Sequence, residues 1–568
     1  MNDKPLTGYP SIDKPWMKYY EFSTSDLPTP ECTIYEYLWE NNKDYPNDIA
    51  IQYFNQNISY KELFENIDKV AKALLSIGVR ENDIVTVAMP SMPEALYAVY
   101  AINKIGAVAN MIHPLAGRRE IVNYLNEVQS SVFLMYTGTY EILKDAIRDT
   151  KVMTAVIVSP TDSLPAFIRG LNKLKSKVPK IPVDSVYMNW RKFLKLGENT
   201  TLKPVKRGCR ELAVISHTGG TTGEPKGVMC SNYNIISLIH QISINMEYER
   251  QEKYMSVLPP FINYSLINSM LEPLSWGFQI VLIPEYLPNS FAKYIEKYHP
   301  NHISSIPAYW EAVLDDDKLK EMDLSCLNHI YYGGESMLIT KENAVNEILL
   351  SRGAQHPLSK GLGSTEMTSA ATITFENCNV PGSAGIPLVD VNVMIVDPES
   401  TKEQTYNEVG EICFSGPTVM MGYYKNPEAT DEVIKIHKDR QRWLHTGDLG
   451  YINEEGLLFV TGRIKRIIMT KGKDQQVTKL FPDRIEKVIN SHPAVNLCCV
   501  IGVPDHTRIN YAKAVMELNE GFTQSDELKG EIRSFCQGKL PEYQIPDEIE
   551  FIAELPRTER GKVDYRAL

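Results

Sequence analysis

The strongest constraint on the fold is a switch of hydrophobic period that repeats through the first fifth of the chain. Leu63, Ile67, Val70, Ala71 and Leu74 recur at helical spacing across residues 60–77, which gives a helix with one apolar face. Residues 83–89 form a short strand-like run, 94–105 are helical again, and 107–112 are strand-like again. Helix and strand in alternation predict α/β layers with mainly parallel strands, because parallel neighbours need crossover helices between them. The pattern changes later. Residues 391–396 and 408–414 read as short alternating strands and predict a small β-barrel or sheet. The stretch 159–201 is rich in lysine and proline and is expected to be irregular. After the basic, glycine-punctuated run 462–473, the remaining residues are expected to form a compact α+β unit. Its helices are expected at 481–490 and 525–538, and its strands at 496–501 and 548–551.

A chain of 568 residues has room for several packed cores at about 150 residues each. Its net charge of −12, from 59 basic and 71 acidic residues, disfavours nucleic acid and anionic membrane surfaces as partners. Residues 1–20 lack a basic start followed by an apolar core, so no secretory signal is expected. No uninterrupted apolar run reaches about 18 residues, so no membrane-spanning helix is expected either. The nine cysteines are scattered without a C-x-x-C pair. Reduced thiols in a cytoplasmic protein are therefore expected, rather than a zinc site or a disulfide framework.

The chemistry is concentrated in one segment. A strand-like run at 212–216 leads into His217-Thr218-Gly219-Gly220-Thr221-Thr222-Gly223-Glu224-Pro225-Lys226-Gly227-Val228. Glycines let a backbone approach a polyanion closely and aim successive N–H groups at it. Thr218, Thr221 and Thr222 add hydroxyl donors, and Lys226 adds a positive charge. No glycine-lysine-hydroxyl triple is present, so this is not the loop of P-loop nucleotidases. A generic Gly/Thr string is usually a surface turn, but this order of residues is far more specific.

The segment resembles the phosphate-binding signature of the adenylate-forming superfamily: acyl-CoA synthetases, nonribosomal peptide adenylation domains and luciferases. The resemblance runs along nearly the whole chain, from Ser59-Tyr60-Lys61-Glu62-Leu63 and Lys104-Ile105-Gly106-Ala107-Val108 to its last line. It is strongest to a standalone acyl-CoA synthetase. It implies a large N-terminal domain, 1–464, of layered α/β sheets plus a small β-barrel, holding ATP and the acid. A small mobile α+β domain, 465–568, follows and carries the catalytic lysine.

The resemblance also assigns roles. Thr218, Gly219, Gly220, Thr221, Thr222, Gly223 and Lys226 would cradle the phosphates. Leu362-Gly363-Ser364-Thr365-Glu366 matches the aromatic-Gly-x-Thr-Glu motif. There Thr365 would donate to the α-phosphate, and Glu366 would hold Mg²⁺ through hard carboxylate oxygens. Leu362 departs from the family's Tyr or Trp and gives up ring stacking on the base. Gly333, Gly334 and Glu335 would line the adenine and acyl pockets. In Thr446-Gly447-Asp448 the aspartate would accept from the ribose diol. Arg463, fifteen residues on, would reach ribose or phosphate, and Val460 would pack on the base. Lys465 is the expected hinge, although Lys465, Arg466 and Lys471 also read as a solvated basic run. Lys562, in Arg560-Gly561-Lys562, would meet the charge that builds as a carboxylate attacks the α-phosphate. Gly472 marks the expected thiol tunnel, in a stretch longer than the family's usual run.

Phe261, Ile262 and Asn263 align with the segment lining the acyl pocket. Ile262 stands where many acyl-CoA synthetases have His, and it supplies no partner for a buried ammonium. The expected substrate is therefore a fatty or aryl acid rather than an α-amino acid. The reaction implied is formation of acyl-AMP and pyrophosphate, then of an acyl thioester with CoA. Two alternatives stand beside it: loading the phosphopantetheine of a separate carrier protein, and a catalytically inactive acyl- or nucleotide-binding homologue.

Overall fold

The computed structural model describes residues 6–165, 186–203, 205–218, 225–284, 290–471, 477–557 and 563–568. The amphipathic segment forms the helix Tyr60–Ser76, begun by a capping box in which Ser59 and Glu62 satisfy each other's backbone N–H groups. Leu63, Ile67, Val70, Ala71 and Leu74 are all sealed in the core. This helix packs on Pro93–Lys104, and the strand between them joins an eight-stranded sheet. Ile84–Ala88 lies in the middle of it, parallel to Val108–Met111 on one side and to Val132–Tyr136 on the other. Val108–Met111 in turn pairs in parallel with Leu212–His217. That strand then turns back antiparallel onto Gly227–Ser231, with His217 opposite Gly227. The phosphate segment is therefore the closing loop of a hairpin at the edge of a parallel sheet.

A second sheet of seven strands has the order Ser359–Lys360, His329–Tyr332, His302–Ser305, Lys253–Ser256, Gln279–Leu282, Ile49–Tyr53, Gln56–Ser59. Its neighbours are parallel except for the last pair. One face is covered by the helices Phe291–Tyr298, Pro307–Glu311 and Ile339–Ser351, with Trp310 at the centre of that core. Against the other face lies Tyr264–Leu271, wound as a π-helix, which also touches the helix Asn232–Ser243. π-helical turns concentrate at functional sites because they displace side chains from the ordinary helical stripe.

The β unit expected near 390–414 is a five-stranded antiparallel sheet. The long strand Arg442–Ile452 pairs in it with Gly410–Ser415, Ile434–Ile436 and Leu458–Arg463. The stretch expected to be irregular, 159–201, instead includes the strand Tyr187–Asn189 and the helix Trp190–Leu196 in its described part. Asn189 caps that helix, and buried Trp190 and Phe193 anchor it beside Tyr60–Ser76. Tertiary burial of two aromatics outweighs the polar composition around them.

The last unit contains helices Pro482–Ile489 and Asp526–Gln537 and the strand Glu548–Phe551, as expected. The hairpin Val495–Asp505/Ile509–Leu518 is longer than the sequence reading, which missed its second strand. These elements share a core of their own, built around Ile485, Ile489, Met516 and Ile532. Among the described residues no helix is long and apolar enough to cross a membrane.

Candidate active site

The phosphate hairpin is pinned at its base. Thr218 N–H donates to the Lys226 carbonyl at 3.0 Å, and Lys226 N–H donates to Thr218 Oγ1 at 3.2 Å. Gly219, Gly220, Thr221, Thr222 and Gly223 lie outside the described residues, as do Gly472 and Lys562. The Lys226 ammonium stands over the Tyr423 ring, 4.8 Å from its centroid. Tyr423 Oη in turn donates to Glu366 Oε1 at 2.8 Å. Burial first, and then the neighbouring Glu366 charge, push the Tyr423 phenol upward. It therefore stays protonated and acts as a donor. Tyr423 is placed by the short strand Gly422–Tyr423, which pairs with Gly227–Ser231 and sets Tyr423 opposite Val228. The return strand of the phosphate hairpin thus fixes the residue that holds Glu366. The Gly-Tyr-Tyr string gave no sign of this role in the sequence.

Thr365 and Glu366 sit in a single 3₁₀ turn capped by Ser364, whose hydroxyl accepts from Met367 N–H. The turn is tight on both sides. A Cβ at Gly363 would stand 1.9 Å from the Ser369 carbonyl, so only glycine fits there. Thr368 adopts φ +65°, a costly conformation for a β-branched residue, and its hydroxyl is anchored on the Thr418 carbonyl at 2.7 Å. Glu366 Oε2 makes no hydrogen bond among the described residues, which leaves a hard oxygen suited to Mg²⁺. Leu362 is half-buried against the main core, and its N–H donates to Thr372 Oγ1.

A second cluster is built on the β unit. Thr446, Gly447 and Asp448 turn within Arg442–Ile452, with Gly447 at φ +72°. Gly447 N–H donates to Glu411 Oε1 at 3.0 Å, while Glu411 Oε2 bonds His445 Nδ1 at 2.8 Å. Thr446 Oγ1 donates to the Ile412 carbonyl and accepts from Asp448 N–H. Glu411, Cys413 and His445 are the one group of potential metal ligands gathered within 4.8 Å among the described residues. Both Glu411 oxygens are engaged as described, so the group serves the turn. Asp448, 9 % exposed, pairs with Arg463 Nε at 2.8 Å across the strand register. Val460, opposite Gly450, is 41 % exposed and offers an apolar surface beside them. Sequence reasoning named Asp448, Arg463 and Val460 but not Glu411, which lies 36 residues before Gly447.

Gly333 and Gly334 follow the strand His329–Tyr332, with Gly334 at φ +85°. A Cβ on Gly333 would lie 3.4 Å from the Tyr264 ring, so the bare backbone packs against that ring. Glu335 is exposed. Phe261 is buried beside His113, with ring centroids 4.3 Å apart, and Ile262 is half-buried. The Asn263 amide is engaged: its oxygen accepts from Ser216 Oγ, and its nitrogen faces Cys230 Sγ at 3.7 Å. It therefore braces the strand that leads into the phosphate hairpin. Lys465 lies in the 3₁₀ turn Ile464–Arg466, just after the strand that carries Arg463. Arg466 ties this turn to Asp483 and Glu486 of the last unit.

A family model described as AMP-binding enzyme matches residues 38–424. A second, described as AMP-binding enzyme C-terminal domain, matches 484–562. A long-chain-fatty-acid–CoA ligase of Bacillus subtilis is 28% identical, over 98% of this chain and 97% of its own. A probable 4-coumarate–CoA ligase of Dictyostelium discoideum is 25% identical over 96% of both chains. Among solved structures, an anthranilate CoA ligase in complex with anthranoyl-AMP superposes with a TM-score of 0.81. It is 22% identical and covers 96% of this chain and 97% of that one, which is a likeness of fold.

Proposed function

The chain belongs to the AMP-binding enzyme family, and on that premise we propose that it is an AMP-forming acid–CoA ligase. It activates a carboxylic acid with ATP and transfers the acyl group to CoA. In the first step a carboxylate oxygen bonds to the α-phosphorus as the bond to pyrophosphate breaks. In the second, the CoA sulfur bonds to the acyl carbon, AMP leaves, and the thiol proton passes to solvent.

The observation that carries this reading is the chain Lys226–Tyr423–Glu366, which joins the phosphate hairpin to a carboxylate of the kind that holds Mg²⁺. Mg²⁺, bound there with the triphosphate, would neutralise charge on the phosphate oxygens. Tyr423 fixes the direction of the Glu366 carboxylate, and Thr365 stands beside it in the same turn. Asp448 and Arg463, held by the Glu411 brace, form the complementary end suited to a ribose diol. We place residues 1–464 and 465–568 as the two units, with closure about Lys465 bringing Lys562 to the reacting oxygens. The separate core of the last unit supports that division. The free cysteines among the described residues are consistent with a reducing cytoplasm, where ATP and CoA are available. A carrier protein's phosphopantetheine presents the same thiol as CoA.

Acid-dependent exchange of pyrophosphate into ATP tests the first step, and addition of CoA or a carrier protein then identifies the acceptor. Glu366→Gln is expected to lower exchange at least about 100-fold, the scale of a lost transition-state electrostatic contact. Lys562→Ala should abolish adenylation while still passing supplied acyl-AMP to CoA; undiminished exchange in that variant would overturn the assignment.

A further inference from the structure

A carboxylate stands at the root of the phosphate hairpin, where it would repel a polyanion unless a cation balances it. The helix Arg118–Val128 buries Ile121, Leu125 and Val128. Glu120, Tyr124 and Glu127 follow one another at spacings of four and three, so they share a stripe of that helix. Tyr124 lies against His217, with ring centroids 4.2 Å apart, and Tyr124 Oη donates to Glu120 Oε1 at 2.5 Å. Glu127 reaches the hairpin itself. Its Oε2 lies 3.7 Å from His217 Nδ1, and a Cβ on Gly227 would stand 3.5 Å from its Oε1. His217 and Gly227 face each other across the two strands of the hairpin. One side chain from the helix therefore borders both strands.

The imidazole is the group that can supply the balance. His217 is 5 % exposed and directly precedes Thr218. Its Nε2 meets Asn110 Oδ1 at 2.8 Å, while Asn110 Nδ2 donates to Thr86 Oγ1 at 3.0 Å. The amide oxygen therefore faces the ring, and Nε2 carries the proton. Nδ1, on the Glu127 side, is the nitrogen that gains a proton when the ring becomes charged. The nearby lysines are directed elsewhere. Lys425 Nζ donates to the Glu127 backbone carbonyl at 3.2 Å, and Lys226 stands over the Tyr423 ring. Burial raises the Glu127 carboxyl above its ordinary range, against the Gly227 N–H and Lys425, which draw it down. Among the described residues, the titratable groups set around this pair are Tyr124 and Glu120 on the helix, Lys226 on the hairpin, and Lys425 just after the strand Gly422–Tyr423.

We infer that Glu127 and His217 are positioning residues for the triphosphate, and that they work by taking up a proton with it. Bound phosphate draws a proton from solvent onto His217 Nδ1. The imidazolium then pairs with Glu127 and fixes the strand end that presents Thr218. With a neutral ring, the Glu127 carboxylate opposes the incoming polyanion; with a charged ring it is cancelled, so phosphate and proton bind together. The only bond formed is Nδ1–H, and its proton comes from water or buffer. ATP affinity is therefore highest at low pH and is lost as pH rises through the value at which the bound ring releases its proton. A carboxylate that merely braced the hairpin would act alike at every pH. This inference rests on the acid-ligase reading above only in taking Thr218 and Lys226 as part of the phosphate cradle.

The test titrates MgATP into the full chain without acid, by calorimetry in HEPES and in Tris. The two buffers differ in heat of ionisation, so the difference in binding heat counts the protons taken up. KM for ATP in pyrophosphate exchange is measured alongside from pH 7 to 9, where the nucleotide itself does not titrate. The wild type should take up at least about 0.3 proton per ATP at pH 8, and its KM should rise at least about threefold over that range. The two variants should both abolish the uptake and flatten the slope, but at opposite levels. His217→Gln leaves the carboxylate unbalanced, so its KM at pH 7 should match the high alkaline value of the wild type. Glu127→Gln removes the repulsion, so its KM at pH 9 should fall below that of the wild type. Glu127 is half-exposed, and its variant carries the test alone should the buried His217→Gln fail to fold. Absence of proton uptake in the wild type would overturn the inference, as would a pH slope that survives in Glu127→Gln or a loss of ATP binding in that variant at every pH. Proton-linked ATP binding without exchange for any acid would sink the ligase reading and support the pair. No ATP binding by the wild type would sink both.

Discussion

On one face of the seven-stranded sheet, Met255, Ile303 and Ile330 are sealed under Trp310 and Phe291. One residue along the same strands, Ser256, Ser304 and Tyr331 face the helix that carries Asn268 and Glu272. Both faces are buried, so burial does not distinguish them. The difference lies in what each buried atom meets. The apolar face meets close-packed carbon and contributes stability, while the polar face is held by hydrogen bonds, Ser304 with Tyr254 and His302 with Glu252, and leaves the Ser256 hydroxyl without a partner among the described residues.

The comparison can be broken most sharply on the apolar face. Trp310→Ala should cost about 3–5 kcal/mol, as large core truncations do, measured by urea unfolding. The ranking of acids in the exchange assay should not change. A changed ranking would mean that the two faces are not separable.

The polar face should show itself through pH. Burial, with the neighbouring His302 and His356, holds His329 down to about 4. An unfolded histidine takes up its proton near 6.5, before the folded one does, so stability is lost as pH falls from about 6.5 to 4. The loss is at most about 3 kcal/mol at 1.36 kcal/mol per unit. Glu272 works in the opposite sense. Burial pushes it from the ordinary 4.5 up to about 8, so the folded state holds the proton longer and stability is lost as pH rises from about 4.5 to about 8. Unfolding free energies across pH 4–9 should show both effects: His329→Gln removes the rise between about 4 and 6.5, and Glu272→Gln removes the fall between about 4.5 and 8.

Tyr423→Phe removes one hydrogen bond to Glu366, worth about 1.5 kcal/mol where a charge is involved. Exchange should fall about tenfold on that basis, with a higher Mg²⁺ requirement and an unchanged acid ranking. Smallest of all, Ser256→Ala removes an unpaired hydroxyl and should move stability by less than about 1 kcal/mol. A loss of several kcal/mol would show that this hydroxyl is fully satisfied in the folded protein.

Much of the candidate site was legible in the sequence, because its residues lie in short strings whose order carries the chemistry. Thr218, Lys226, Glu366, Asp448 and Arg463 were all named from such strings. The residues that brace them were not. Tyr423 lies 57 residues from Glu366, in a string that carries no motif of its own. Glu411 reaches Gly447 only across a strand pair that carries a bulge. Asn263 was expected at the acid, whereas its amide is engaged by Ser216 and Cys230. The helix Trp190–Leu196 was hidden in a polar stretch because its stability comes from its own Trp190 and Phe193, buried against the distant helix Tyr60–Ser76.

The sequence by itself determined the alternation of helix and strand, the glycine- and threonine-rich loop after a strand, and the adenylate-forming family. Each of these is set by local spacing: hydrophobic period, glycine content and motif order. Only the tertiary structure decided that the second face of the seven-stranded sheet is polar and buried, and that Glu272 stands at its far end. Period-two patterning fixes which side chains share a face, but not what that face is pressed against. Whether a buried serine or glutamate is solvated, paired or waiting for a ligand depends on contacts between segments far apart in the chain.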